Sequence, residues 1–220
     1  MIFDSSCAGC GRQGPVLCRA CRFVLAAPAG LPARHGDDVV AAVPFAGRAR
    51  DVLLGFKYGN RRQLAHHLAG LVVNRLVVEG FTAGDFDVVT WAPTSGRHRR
   101  RRGFDQAEVV ARRIALQLGL PCKRLLEREG HIAQTGRPRS ERLHGPRFRA
   151  SPATRGRRVL LVDDVVTTGS TLRSAEAALR QAGVSWVQRA AIATTPAVPA
   201  ARSGRDEAER RGALRLVRAA

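Results

Sequence analysis

The amino-acid sequence predicts an α/β fold built on a parallel β-sheet, and three observations support this prediction. Apolar runs typical of strands alternate with helical patterns from Val39 to Thr194. One run, Val159–Val162, is apolar throughout, as expected for a central strand that is covered on both faces. The intervening segments are long enough to hold the crossover helices that parallel strands require.

The strands and helices can be assigned in chain order. Before the irregular middle segment, the patterns predict a strand Val39–Phe45, a helix through Leu64, Leu68, Leu71 and Val72, a strand Asp87–Ala92, and a helix from Asp105 to Gly119. Residues Glu127–Thr154 are rich in Arg, Gly and Pro and predict a long irregular excursion that has room for short strands and is suited to a lid or hood. A strand Arg158–Val162, a helix ending at Gly183 and a strand Val184–Thr194 follow.

The composition predicts one main domain with small appendages. The chain has 220 residues, of which 45% are hydrophobic and 25% charged, as in ordinary globular proteins. A Pro/Gly/Ala-rich stretch near residue 36 and a basic segment after Pro196 mark the boundaries. We therefore expect an N-terminal module with its linker over residues 1–35, the α/β domain over residues 36–196, and a basic tail over residues 197–220.

The charge balance predicts an anionic partner. Lys and Arg number 37 against 18 Asp and Glu, which gives a formal net charge of +19. Phosphate ligands and nucleic acids are the partners that such a surface attracts. Because Lys57 and Lys123 are the only lysines, a genome-wide preference for arginine is the alternative explanation.

Four cysteines near the N-terminus predict a structural zinc site. Cys7, Cys10, Cys18 and Cys21 form two Cys-x-x-Cys pairs, and each pair can turn two thiolates toward one tetrahedral Zn²⁺. Residues 1–35 would then be a zinc knuckle with its linker, although redox-active or unliganded thiols remain an alternative. With no signal-peptide pattern and no membrane-spanning run, we predict a cytoplasmic protein without membrane insertion.

A second motif follows the central strand and predicts a phosphate site. Asp163 and Asp164 are followed by Thr167–Thr171, whose backbone N–H groups and hydroxyls would lie at a helix N-terminus. The motif lacks the glycine patterns of a P-loop and of a dinucleotide site. Adjacent carboxylates before an anion site suit the vicinal hydroxyls of a ribose or a Mg²⁺ ion. The alternative is a purely structural role, in which these residues cap a turn and a helix.

The segment Val159–Thr171 resembles the motif with which type I phosphoribosyltransferases bind phosphoribosyl pyrophosphate (PRPP). More of the chain is similar to one branch, the ComF family of competence-associated proteins, through Gly55-Phe-Lys-Tyr-Gly59, Ala92-Pro-Thr-Ser95, Arg102-Gly-Phe-Asp-Gln-Ala107 and the N-terminal cysteines. The resemblance covers residues 7–195 and implies the type I phosphoribosyltransferase fold, with a parallel central sheet flanked by helices. Asp105 stands where many relatives have Asn.

The resemblance also implies roles for individual residues. The acid pair would be catalytic and would hold the ribose hydroxyls, and Arg99–Gln106 would be a mobile loop that clamps pyrophosphate, with a solvated charge run as the alternative for its arginines. The PRPP-binding set is Asp163, Asp164, Val166, Thr167, Thr168, Gly169, Ser170 and Thr171 for ribose and 5-phosphate, Pro93, Thr94 and Ser95 for pyrophosphate, and the basic residues Arg102 and Lys57.

Two functions are compatible with this sequence. The first is Mg²⁺-dependent transfer of the phosphoribosyl group from PRPP to an acceptor that the sequence does not identify, in a protein associated with DNA uptake. The second is a non-catalytic accessory of nucleic-acid processing that binds single-stranded DNA or a helicase and keeps the fold as a ligand-binding module.

Overall fold

The computed structural model describes residues 6–26, 39–129 and 146–195. Its main sheet has four parallel strands in the order β1, β6, β5, β2, where β1 is Val39–Pro44, β2 is Val88–Trp91, β5 is Arg158–Val166 and β6 is Trp186–Thr194. The central strand β5 pairs with β2 on one side and with β6 on the other. The parallel sheet predicted from the sequence is therefore confirmed.

Both faces of the sheet are covered, which explains the continuous apolar run of β5. Leu160 and Val162 face one core cluster, and Val159 and Leu161 face another, because successive residues of a strand point to opposite faces. The helices of the first face are α1 (Arg19–Ala26), α2 (Gly47–Tyr58), α3 (Leu64–Val78) and α5 (Gln106–Leu118). The second face carries α6 (Ser170–Gln181) and the antiparallel hairpin of β3 (Leu126–Arg128) and β4 (Phe148–Ala150).

Several elements differ from the sequence-based expectations. Helix α2 was not predicted, and the short helix α4 (Gly96–Arg102) occupies part of the segment expected to be a mobile loop. Four consecutive arginines have good helix propensity, which a reading based on apolar periodicity overlooks. Strand β5 extends to Val166 instead of Val162, so the acid pair lies within the strand. The irregular excursion contains the hairpin β3–β4, and its residues 130–145 lie outside the described part.

The cysteine segment packs on the main domain. Cys7 and Leu17 are buried in the core cluster that also contains residues of α2 and α3. The Arg48 Nη1 atom of α2 donates a hydrogen bond to the Gly9 carbonyl at 2.7 Å, and Arg61 Nη2 donates one to Ser6 Oγ at 2.9 Å. The expected boundaries at 35/36 and 196/197, and the basic tail, lie outside the described residues. Within the described ranges, no helix has the length and apolar character needed to cross a membrane.

Candidate functional site

The predicted site residues meet at the carboxyl-terminal edge of the sheet. Trp91 at the end of β2 is the partner of Val162 in β5, so the segments that follow these two residues are neighbours. Pro93–Ser95 follows β2, and the acid pair Asp163–Asp164 follows Val162. Ligands of open α/β sheets bind at this edge. The structure therefore places the predicted ribose and pyrophosphate segments side by side.

The predicted phosphate segment forms a tight turn into helix α6. Thr167 and Thr168 are exposed, and Gly169 adopts a left-handed conformation with φ of 73° immediately before the helix. The Thr168 hydroxyl donates to Ser170 Oγ at 3.1 Å. A Cβ atom at Gly169 would lie 2.9 Å from Arg173 Nη1, so both backbone conformation and space favour glycine here. The helix N-terminus with its hydroxyls can receive an anion.

The two carboxylates of the acid pair have different neighbours. Asp164 Oδ2 forms an ion pair with Lys57 Nζ of α2 at 2.9 Å. Asp163 lies within electrostatic range of Arg128 on β3, and both residues of the pair are partly buried. Burial, followed by the neighbouring charge of Asp164, raises the pKa of Asp163 to about 8. Asp164 thus has a cationic partner in Lys57, whereas burial and the charge of Asp164 favour the protonated form of Asp163.

Arg128 on strand β3 is a site residue that the sequence analysis missed. Its Nη1 approaches the Pro93 carbonyl at 3.5 Å, and its guanidinium lies 5.8 Å from the centre of the Phe148 ring. Burial lowers the pKa of Arg128, while the negative charges of Asp163 and Asp105 oppose this shift. The sequence of this segment lacks periodicity, and the position of Arg128 becomes visible only through the hairpin pairing of β3 with β4.

Asp105 connects the pyrophosphate segment to helix α5. Its Oδ2 accepts a hydrogen bond from the Thr94 backbone N–H at 2.9 Å, and its Oδ1 accepts one from the Ala107 N–H at 3.1 Å. Oδ1 also lies 3.4 Å from the Glu108 N–H, as in an N-cap. Burial raises the pKa of Asp105, against the effect of these hydrogen bonds. The residue that departs from the Asn of many relatives therefore has a structural function.

The arginine side chains of α4 differ in their exposure and in their hydrogen bonds. Arg97 and Arg99–Arg101 are exposed, whereas Arg102 is half-buried. Arg102 donates to Gln106 Oε1 at 3.0 Å and to the Tyr58 hydroxyl at 3.4 Å. The hydrogen bond from Arg102 lowers the pKa of Tyr58. The segment Gly55–Gly59 therefore contacts both the acid pair, through Lys57, and helix α4, through Tyr58.

The four N-terminal cysteines form a cluster that could hold a metal ion. The sulfur atoms of Cys7, Cys10, Cys18 and Cys21 all lie within 4.8 Å of one another, and those of Cys10 and Cys18 are 3.8 Å apart. Burial favours the neutral thiol of Cys7, but backbone N–H groups that include that of Cys18 outweigh burial and lower its pKa to about 6. Burial raises the pKa of Cys21 to about 12.

Gly9 allows the cysteine cluster to pack closely. A Cβ atom at this position would lie 2.9 Å from Cys21 Sγ and 3.2 Å from Val52 Cγ2 of α2. Cys122 lies apart from the cluster; it is partly buried, and burial raises its pKa to about 11.

Comparisons with known proteins identify the family. A model of the phosphoribosyl transferase domain matches residues 100–213, which is half of the chain. The DNA utilization protein YhgH of Salmonella typhimurium is 26% identical over 84% of this chain and 86% of its own. The competence protein ComFC of Streptococcus pneumoniae is 34% identical over 44% of this chain and 43% of its own.

Among solved structures, the glutamine PRPP amidotransferase of B. subtilis is 22% identical with a TM-score of 0.45. The aligned part covers 64% of this chain and 30% of that enzyme, so the chain spans less than a third of its length. The family model and the named relatives agree with the motifs assembled at the sheet edge. The chain therefore belongs to the phosphoribosyl transferase domain family and, within it, to the ComF branch of competence-associated proteins.

Proposed function

We propose that the chain binds PRPP together with Mg²⁺ at the carboxyl-terminal sheet edge and transfers the phosphoribosyl group to an acceptor. The observation that carries this proposal is the juxtaposition of three features at one edge: the acid pair of β5, the turn into α6 and the segment after β2. Membership of the phosphoribosyl transferase family supports the same substrate. One of the structurally similar proteins, from B. subtilis, is named as a glutamine PRPP amidotransferase.

Each feature matches one part of PRPP. Thr167–Thr171 would hold the 5-phosphate at the N-terminus of α6, and the acid pair would accept hydrogen bonds from the ribose hydroxyls. Pro93–Ser95, with Arg102 and Lys57 nearby, would face the pyrophosphate. Carboxylate oxygens and substrate phosphates are the ligands that Mg²⁺ prefers, so this chemistry fits the site. Bound there, the ion would supply charge neutralisation for the leaving group.

Calorimetry with PRPP and Mg²⁺ tests the proposal. We expect the double variant Asp163→Ala, Asp164→Ala to lose at least about tenfold in PRPP affinity, because both acceptors of the ribose hydroxyls are removed. The double variant Asp51→Asn, Asp85→Asn removes the same amount of negative charge at positions outside the predicted site and should keep the wild-type affinity. Equal PRPP affinity in both double variants would contradict the assignment. Release of pyrophosphate in a screen of acceptors then tests transfer.

We also propose that the metal of the cysteine cluster is Zn²⁺ with a structural role. Four cysteine ligands are typical of structural zinc sites, and the small segment has little core of its own to fold without a metal. We expect one zinc per chain by mass spectrometry, and a lower zinc content and melting temperature in Cys18→Ser. Cys122→Ser should retain the metal. Full zinc occupancy in Cys18→Ser would exclude the four-cysteine site.

A second candidate function, as an accessory of nucleic-acid processing, is favoured by the exposed side of α4. Arg101 and Arg102 place their guanidinium groups 5.3 Å from the centre of the Tyr58 ring, and Tyr58 is itself half exposed. Exposed arginines beside an aromatic ring are suited to single-stranded DNA. Relatives named for DNA utilization and competence agree with this role. A helicase partner and residence in the cytoplasm remain proposals that rest on the family.

A further inference from the structure

Gly55 is a glycine in the interior of helix α2, where an alanine would favour the helix more. Its φ is not positive, so its backbone conformation does not require glycine. A Cβ atom at this position would lie 3.3 Å from the Cβ atom of Ala8, closer than the usual contact of about 3.5 to 4.0 Å between carbon atoms. The close approach of the cysteine segment therefore explains the glycine.

The loop Cys7–Cys10 packs along one side of α2. Its Gly9 carbonyl accepts a hydrogen bond from Arg48 Nη1 at 2.7 Å, and a Cβ atom at Gly9 would lie 3.2 Å from Val52 Cγ2. The preceding residue of the loop faces Gly55. Because Arg48, Val52 and Gly55 are separated by four and three positions, they lie on the same side of the helix. The residues that contact α2 are thus the two that separate the first pair of cysteines.

The opposite side of α2 carries Lys57. This residue lies two positions after Gly55, which corresponds to a rotation of about 200° around the helix axis. Its Nζ atom forms the ion pair with Asp164 Oδ2 at 2.9 Å, and the two side chains are only 13% and 16% exposed. Loss of contact in a largely buried ion pair leaves each charge without a partner and with little water. The position of α2 therefore determines whether Lys57 can neutralise and orient Asp164.

A metal ion held by the four cysteines would fix the shape of the loop that supports α2. The four sulfur atoms lie within 4.8 Å of one another, so the loop Cys7–Cys10 has a candidate metal ligand at each end. Without a metal, a small cysteine module has little else to keep it folded, and α2 would lose its support on this side. When two sites favour the same arrangement of a shared element, binding at each strengthens binding at the other by the same factor.

We infer that Gly55 is a positioning residue of the proposed site, through which the loop Cys7–Cys10 holds Lys57 against Asp164, and that metal binding and PRPP binding therefore strengthen each other. This inference rests on the proposed binding of PRPP. It gives the cysteine cluster a role beyond the folding of its own segment. Gly59 has a different explanation, because a Cβ atom there would lie 2.7 Å from the Gly55 carbonyl oxygen at the end of the same helix.

Glycine substitutions in two helices test the positioning role. Gly55→Val places a rigid, branched side chain against Ala8, and we expect PRPP affinity, measured by calorimetry with Mg²⁺, to fall by about fivefold or more. Gly55→Ala should change it in the same direction, and adding Ala8→Gly should restore the affinity. Gly70→Val is the matched control inside α3, where the nearest atom to a Cβ is Gln117 Oε1 at 3.8 Å. This control should stay within about twofold of the wild type.

Zinc affinity provides a readout that does not depend on activity. In competition with a chromogenic chelator, PRPP and Mg²⁺ should raise the zinc affinity of the wild type by about fivefold. The double variant Asp163→Ala, Asp164→Ala should show no such increase, which controls for direct effects of PRPP on the metal. In Lys57→Met, the increase should be lost as well, and adding Gly55→Val should cause no further loss of PRPP affinity, because the route through Lys57 is already broken.

These titrations separate failure of the inference from failure of the proposed function. A wild type that binds PRPP with no change in zinc affinity, or that holds no zinc, would overturn the inference and leave the PRPP site intact. A loss of PRPP affinity in Gly55→Val that is equally large in the Lys57→Met background would indicate general destabilisation and would also overturn it. A wild type that holds zinc and fails to bind PRPP would overturn both.

Discussion

Asp163 and Asp164 are adjacent in sequence, yet their surroundings differ. Asp164 has a counter-charge in Lys57 at 2.9 Å, whereas Asp163 has no ion pair within the described residues and lies beside the charge of Asp164. Two neighbouring carboxylates in a partly buried site cannot both ionise at low energy. The pKa of Asp163 is therefore raised, and further positive charge from a ligand or a cation would lower it again.

The raised pKa of Asp163 predicts a pH dependence of stability. Between about pH 4, where an unfolded Asp titrates, and about pH 8, the folded protein holds a proton that the unfolded chain has released. Because the folded state binds more protons in this window, the contribution of Asp163 to stability falls as the pH rises. The melting temperature of Asp163→Asn minus that of the wild type should therefore increase from pH 5 to pH 8 at constant ionic strength.

The exposed Asp51 of α2 provides the control for this measurement. Asp51→Asn removes the same charge, and its difference from the wild type should stay nearly constant over the same range. Differential scanning fluorimetry at several pH values is sufficient. If the difference between Asp163→Asn and the wild type does not grow with pH, the folded-state pKa of Asp163 is not raised.

At the scale of elements, the site is assembled from segments that follow different strands and must be fixed to one another. The Asp105 carboxylate connects two of them, because it accepts hydrogen bonds from Thr94 before α4 and from Ala107 in α5. Arg102 adds a second connection by bonding Gln106 and Tyr58. Helix α4, which has only seven residues and no buried side chain, depends on such contacts for its position.

Removal of the Asp105 carboxylate should affect both stability and binding. Asp105→Ala leaves the N-terminus of α5 without its cap and the Thr94 N–H without its acceptor, which should lower the free energy of unfolding by about 2 kcal/mol. PRPP affinity should fall as well, since the pyrophosphate segment loses its position. Asp105→Asn keeps one oxygen acceptor and should lose less of both. Urea denaturation and calorimetry provide the two measurements.

Ser151→Ala is a suitable control for Asp105→Ala. Ser151 caps the short 3₁₀ turn Pro152–Thr154 by accepting a hydrogen bond from the Ala153 N–H at 3.3 Å. This turn precedes β5 and is not part of the predicted site. This variant should lose about 1 kcal/mol or less and keep its PRPP affinity. A parallel loss of affinity in the two variants would indicate general destabilisation instead of a specific role of Asp105.

At the scale of the whole molecule, the sequence is most informative where a pattern reflects burial. The apolar run of β5 predicted the central strand of the sheet, and the capped helix beginning after Asp105 was also predicted, although β5 extends past the acid pair to Val166. The pairing of Lys57 with Asp164 could not be predicted from such patterns, because the 106 intervening positions carry no signal of which helix faces which strand. Arg128 was missed for the same reason, since three-residue strands are too short to show a period. The Lys57–Asp164 ion pair and the position of Arg128 both depend on packing between segments that are far apart in the sequence.

The charge of the whole chain also exceeds what one substrate requires. PRPP carries few phosphates, whereas the formal net charge is +19 and the arginines of α4 are largely exposed. The surplus is explained either by a polyanionic partner or by a general preference for arginine. The two explanations differ in a measurable way, because a polyanion releases counterions when arginines neutralise its phosphates.

Binding of single-stranded DNA should therefore weaken steeply as salt rises, with a slope that depends on α4. We expect the triple variant Arg99→Gln, Arg100→Gln, Arg101→Gln to flatten the plot of log K against log salt by about 2, at about 0.7 for each lost phosphate contact. The triple variant Arg19→Gln, Arg113→Gln, Arg180→Gln removes equal charge from other exposed positions and should change the slope far less. Fluorescence anisotropy with a labelled oligonucleotide, with and without PRPP, gives the slopes and any competition. If no binding is found at about 0.05 M salt, where exposed charges are weakly screened, the excess charge does not serve a polyanion and the preference for arginine explains it.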